Sequence, residues 1–289
     1  MLAVPLLLGA GAWTAVRVTE GRLDRHYEAT LVVPPVRAED AARGMYLMTL
    51  AKCGVCHGAD FGGGTLMDEP LLGSIHGPNL TTGAGGIGGA RTDADLTRAI
   101  RHGLAPDGRP LIAMPTREHA AFSNGELGAV IAALRALPPV DRSSPPSRVG
   151  LGLAVFCALD QIELIGAELV DHAAAPPAEV PPGPTVVWGG HLARIGSCHD
   201  CHGEHLSGGA MAGAPPDWPD ASNLTPHVTG LAGWTEEEFY RALREGVRPD
   251  GTAIDPRMPW AYTAKMTDDD LRAIYLYLLT VPARPSGQG

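Results

Sequence analysis

Residues 53–57 read Cys-Gly-Val-Cys-His, and residues 198–202 read Cys-His-Asp-Cys-His. Two thiols three positions apart, followed at once by an imidazole, suit one chemistry above others. Both sulfurs can add across the two vinyl groups of a single porphyrin, and the histidine is then held under the iron. The spacing predicts covalent haem c at Cys53 and Cys56 and a second at Cys198 and Cys201. His57 and His202 are the expected iron ligands. Two rival chemistries use the same thiol spacing. A zinc site combines two Cys-x-x-Cys pairs in one tetrahedron, but here the pairs are 145 residues apart and each has its own histidine. A redox dithiol sits in a βαβ pattern, and neither pair does.

A six-coordinate haem needs a second axial ligand. Of the 8 methionines, Met114 and Met258 are singled out by position. Each is followed by proline, and each lies in a Pro/Gly-rich loop downstream of an Asp-Gly pair and before a last helix. A methionine so placed can reach across the distal face, which would give His/Met ligation. Met67, Met211 and Met266 have no such counterpart and read as packing. His76, His102 and His227 are rival ligands, but none recurs at an equivalent place.

The thiol motifs belong to a longer internal repeat. Gly44 and Gly189 stand 145 apart, Asn79-Leu80-Thr81 and Asn223-Leu224-Thr225 144 apart, and Gly103 and Gly246 143 apart. Met114-Pro115 and Met258-Pro259 keep the same step of 144. Offsets that drift this little mean two copies of one domain with small loop insertions. Residues 1–39 are read as an apolar N-terminal anchor, or signal remnant, with its linker. Residues 40–148 form the first copy, residues 149–184 an apolar and Pro-rich connector, and residues 185–289 the second copy.

The elements that must position these residues read as helices. Residues 41–52 lead into the first motif. Thr92 and Thr235 look like N-caps with acids in the first turn, and Gly103 and Gly246 like C-caps. Ser123 with Glu126, and Thr267 with Asp270, open the last helices. Leu127, Val130, Ile131 and Leu134 follow in the first copy, and Leu271, Ile274, Tyr275 and Leu278 in the second, at the helical period. Residues 149–172 form a candidate bridging helix, and no stretch reads as a sheet. Arg101 and Arg244, at equivalent helix ends, are candidates for a haem propionate, with a solvated surface role as the simpler reading. Cys157 reads as a buried small side chain. Trp234 and Trp260 flank the second motif.

The chain has 289 residues, 22 basic against 32 acidic side chains and a formal charge of −10. That excludes a nucleic-acid binder, which needs a basic face. With 37 Gly and 26 Pro, a loop-rich protein is expected. Residues 40–148 hold 10 basic and 10 acidic side chains, so the acidity sits in the connector and the second copy. Residues 1–16 are uncharged and mostly apolar. As a helix they would span ~24 Å, short of a ~30 Å hydrocarbon core. Arg17, Arg22 and Arg25 follow. The run is expected to be a membrane anchor that lacks a few residues before Met1.

Each copy resembles a class I cytochrome c domain. The matching features are the N-terminal helix with Gly44 or Gly189, Cys-x-x-Cys-His, the Asn-Leu-Thr loop, a middle helix, the distal Met-Pro and a C-terminal helix. The whole is similar to membrane-anchored dihaem cytochromes c of bacterial respiratory chains. The resemblance implies an all-α, loop-rich fold of two tandem domains, each with a few helices wrapped around one covalent haem. It implies single-electron transfer on the periplasmic side of the membrane. The donor would be a dehydrogenase or quinol-oxidising complex, the acceptor an oxidase or soluble carrier. The alternative is a dihaem enzyme such as a peroxidase, which needs an open iron that the paired methionines would close. A gas or redox sensor would also need an output domain. One departure from the family is the first C-terminal helix, which has no aromatic residue where the second has Tyr275 and Tyr277.

Overall fold

The computed structural model describes residues 3–211, 214 and 217–288; Met1 and Leu2, the start of the apolar run, lie outside them. The architecture is mostly helical and loop-rich, with one small sheet. The chain divides into two compact units. One comprises Met1–Met48 with Cys53–Pro177, the other Thr49–Lys52 with Ala178–Gly289.

In the first unit, α1 (Ala3–Leu23) is followed by α2 (Ala41–Leu50) and α3 (Cys53–His57), the helix of the first thiol motif. The middle helix α4 (Asp93–His102) begins at a Thr92–Asp95 capping box and ends at Gly103, whose φ of 64° no other residue adopts so cheaply. After the short α5 (Thr116–His119), α6 (Asn124–Arg135) opens on the Ser123–Glu126 box. In the second unit, α8 (Val186–Ile195) and α9 (Cys198–His202) correspond to α2 and α3, and between the two sets lies α7 (Leu151–Ala158). Then α10 (Glu236–Glu245), α11 (Trp260–Thr263) and α12 (Asp268–Leu278) repeat the order.

Gly44 and Gly189 explain why the same residue stands on the first helix of each copy. A Cβ on Gly44 would collide with the carbonyl of Ala129 on α6, and one on Gly189 with that of Ala273 on α12. First and last helices therefore cross backbone to backbone, and only glycine permits that approach.

Two expectations need correction. A sheet is present: β1 (Gly64–Glu69) pairs antiparallel with β2 (Gly73–Gly77), and β2 with β3 (Arg148–Val149). Its strands are short, rich in glycine and broken by Asp68 and Glu69, so no alternation announced them; pairing across tertiary distance made them strands. The bridging helix covers less than residues 149–172. Helix α7 stops at Ala158, Asp160 takes a φ of 51°, and only a 3-10 turn at Gly166–Leu169 follows. The apolar N-terminal run is part of a longer helix that continues through Arg17, Glu20 and Arg22. Thr19 Oγ1 donates to the carbonyl of Ala154 at 2.9 Å and Arg22 to that of Cys157 at 2.6 Å, tying the helix end to α7. Among the described residues no helix is long and apolar enough to cross a membrane.

Candidate haem-binding sites

Each thiol motif occupies a five-residue helix of its own, so its two sulfurs and its imidazole share little more than one turn. The histidines are oriented the same way. His57 Nδ1 lies 3.0 Å from the carbonyl of Pro78, and His202 Nδ1 lies 2.7 Å from that of Ser222. A carbonyl only accepts, so Nδ1 carries the proton and Nε2 keeps the free electron pair. Burial pushes both rings below the usual histidine range, which the carbonyl bond only partly offsets. Neutral rings that keep the Nε2 electron pair are what an iron ligand requires.

The thiols tell the rival chemistries apart. Burial pushes Cys56, Cys198 and Cys201 upward, with Lys52 opposing this only weakly at the last two. A reactive dithiol or a zinc thiolate needs the opposite environment. The residues present fit haem c: two thiols three positions apart on one short helix, one histidine per pair with a single nitrogen available, and no group of three or more metal-binding side chains among the described residues.

The Asn-Leu-Thr loop, conspicuous in the sequence without an assigned task, is a clip. Asn79 donates to the carbonyls of Val140 and Arg142 at 2.7 and 2.8 Å, and its Oδ1 accepts from Thr81 N and Oγ1. Asn223 donates to the carbonyl of Arg284 at 2.7 Å, and its Oδ1 accepts from both groups of Thr225. Val140 and Arg284 are 144 apart, so both clips fasten the segment leaving the last helix. Leu80 N and Leu224 N donate at 2.8 Å to Phe61 O and Leu206 O, each a few residues past its motif histidine. The clip thereby joins the motif to the end of the domain.

Met114 and Met258 are half-buried in equivalent loops. The carbonyl of each accepts from the amide two positions on, Thr116 or Trp260, at 2.8 Å. The thiols and histidine of each copy thus share one helix, whereas the methionine comes from the loop before α5 or α11. The rival histidines also use Nδ1: His76 with Thr65, His227 with Thr229, and His102 with His172, which leaves Nε2 as the one nitrogen each could offer a metal.

Arg101 is not a solvated surface residue, and Arg244 is half-buried. Arg101 is buried and donates to Asn124 Oδ1 and Phe122 O at 3.0 and 2.8 Å. Arg244 donates to Asp268 Oδ1 at 2.5 Å and to Met266 O at 3.1 Å. Both arginines tie the middle helix to the start of the last one. Cys157 is fully buried, as its sequence setting suggested.

Residues 189–278 match the family described as cytochrome c oxidase, cbb3-type, subunit III. Over these residues the chain is similar to a cytochrome c family. The chain is also 29% identical over 273 residues to the cytochrome c subunit of an alcohol dehydrogenase (quinone) from Gluconacetobacter polyoxogenes, covering 86% of this chain and 57% of that one. It is 31% identical over 283 residues to a gluconate 2-dehydrogenase cytochrome c subunit from Pantoea cypripedii, covering 87% and 62%. A protein named diheme cytochrome c-type, from Cereibacter sphaeroides, is 28% identical over 268 residues, covering 84% and 86%. The chain spans little more than half the length of the alcohol dehydrogenase subunit it matches. These relatives are named as cytochromes or cytochrome subunits, and the clip, glycine crossing and motif helix of the second repeat each have a counterpart in the first.

Proposed function

We propose that the chain is a dihaem c-type cytochrome that carries single electrons for a dehydrogenase. The observation that carries this reading is the pair of Cys-x-x-Cys-His helices, each with its histidine Nδ1 on a backbone carbonyl. Cys53 and Cys56 would hold one haem and Cys198 and Cys201 the other. His57 and His202 would be proximal ligands, Met114 and Met258 distal ones. When bound, haem c supplies a one-electron iron couple whose potential depends on axial ligands, hydrogen bonds and burial. The chain's residues fix the proximal rings, keep water away through the buried clips, and supply the thioether that favours ferrous iron. The relatives named as dehydrogenase subunits support a dehydrogenase as the donor. We place the protein on the outer, periplasmic side of a bacterial membrane, with α1 as its contact with that membrane.

Replacing Met258 with Ala should remove about half of the near-infrared sulfur-to-iron band of the oxidised protein and open one reduced iron to CO. Replacing Met114 should remove the other half. Replacing Met258 with His should lower one of two potentials while both haems stay attached. A double Met→Ala variant that keeps the whole band would overturn the ligand assignment.

A further inference from the structure

We propose that residues 162–172 of the connector clamp the first distal loop, with Gly166 as the positioning residue. Met114 would then be held on its iron by a segment from outside its own repeat. Met258 would be held from within its own repeat. This rests on Met114 and Met258 being iron ligands.

The contacts converge on the residues flanking Met114. Ala113 has a φ of 57°, a left-handed conformation that is strained for a residue with a Cβ. Its amide donates to the carbonyl of Leu164 at 2.8 Å. Gly166 lies against the next residue: a Cβ there would stand 2.5 Å from Met114 O and 2.6 Å from Thr116 Oγ1. Arg117 pairs with Glu163 at 3.1 Å. The strap is anchored on both sides of this contact. Leu164, Ile165 and Ala167 are buried in one cluster with Leu104 and Cys157. Beyond them His172 O accepts from Thr30 N at 2.9 Å, and His172 Nδ1 meets His102 Nδ1 at 3.3 Å. The carbonyl of Met114 cannot move towards Gly166, and Ala113 cannot relax without giving up a backbone bond.

The second loop has a local device instead. Position 257 corresponds to 113. There the Arg257 amide donates to Asp255 Oδ1 at 2.9 Å, its guanidinium pairs with Asp255 Oδ2 at 2.9 Å, and Met258 N donates to Asp255 O at 3.0 Å. The amides of Met258, Trp260, Tyr262 and Ala264 find acceptors within this loop and α11. Opening the first iron therefore requires a buried strap to lift, whereas opening the second requires the Asp255 turn to break and Arg257 to leave the Trp218 ring, 5.1 Å from its guanidinium. The two irons should differ in how readily the methionine leaves, with the second the more labile.

The test is CO binding to the full-length dihaem protein reduced with dithionite, alongside the near-infrared sulfur-to-iron band of the oxidised form. Met114→Ala and Met258→Ala assign each signal to its iron. Gly166→Val should raise CO association at the first iron about tenfold, the change that losing ~1.4 kcal/mol of closure would give. It should also weaken the first half of the band and leave the second iron unchanged; Gly166→Ala should do less. Asp255→Ala should do the converse. Wild-type CO binding at the first iron of a folded, two-haem Gly166→Val protein would overturn the clamp. If Met114→Ala itself leaves both signals untouched, the ligand assignment has failed instead. Should Gly166→Val not fold, hydrogen exchange of the wild type decides: residues 111–115 must be more protected than 255–259, and equal or weaker protection overturns the proposal.

Discussion

In the first repeat the helix of Cys53, Cys56 and His57 is backed by the β1–β2 hairpin, whose Gly64 and Gly77 sit against the carbonyl of Cys56. In the second, among the described residues at the corresponding place, Gly209 and Ala221 form a single bridge. The last helices differ too. The buried face of α6 is built from Ala129, Val130, Ile131, Ala132 and Ala133. Helix α12 presents Tyr275, whose ring packs on Phe239 and whose hydroxyl donates to Trp234 O at 2.9 Å, and Tyr277 beside Gly190. Yet the carbonyl behind each motif histidine, the Asn-Thr clip and the glycine crossing are the same in both. Groups that orient the ligands are held constant, while whatever fills space behind them varies with the neighbouring chain.

The sharpest way to break this comparison is to remove one motif. Replacing Cys198 and Cys201 with Ala should reduce covalent haem from two per chain to one, read by haem quantitation and a haem-stained denaturing gel. Replacing Cys53 and Cys56 should do the same, and an unchanged count in either case would sink the pairing. Next in size are the crossings. Gly44→Val and Gly189→Val should each destabilise their own repeat by at least ~1–3 kcal/mol, the usual cost of overpacking, because the added atoms meet backbone rather than a flexible side chain. Thermal unfolding followed at each haem band should show the loss confined to one repeat.

Smaller effects are expected at the clips. Asn79→Ala leaves the carbonyls of Val140 and Arg142 without their donor, and Asn223→Ala does so at Arg284. Each should cost ~1–3 kcal/mol, the penalty for stranding buried polar groups. Denaturant midpoints should fall similarly in both; a large inequality would mean that the clips are not equivalent.

The smallest effect distinguishes the repeats by pH. Burial pushes His102 down to about 4, helped by the charges of His172, Arg101 and Arg98. Unfolded, the same ring titrates near 6.5, so between these values the unfolded chain takes up the proton and the folded one does not. The stability from burying His102 neutral is complete above about pH 6.5 and is lost as pH falls towards 4. The corresponding residue of the second repeat is Glu245. The thermal midpoint of the first repeat should therefore drop in this window, and His102→Asn should flatten the drop.

The sequence alone determined the repeat, the motif residues, the caps at Thr92, Ser123 and Thr235, and the helices they open. These depend on local chemistry: the spacing of Cys and His, hydroxyl caps, and apolar residues at 3.6-residue intervals. It also marked Gly44, Gly189 and Asn-Leu-Thr by their recurrence, but not what they do, because a crossing point and a clip are relations to residues some 60 to 85 positions away. Only the tertiary structure decided that Arg101 and Arg244 tie helix to helix, since a terminal arginine looks the same in sequence whether it faces water or a carbonyl. The β1–β2 hairpin was hidden because its strands have little propensity of their own and exist through their pairing. The connector strap was hidden for the same reason: Leu164 and Gly166 carry no motif, and their role comes entirely from lying against Ala113 and Met114.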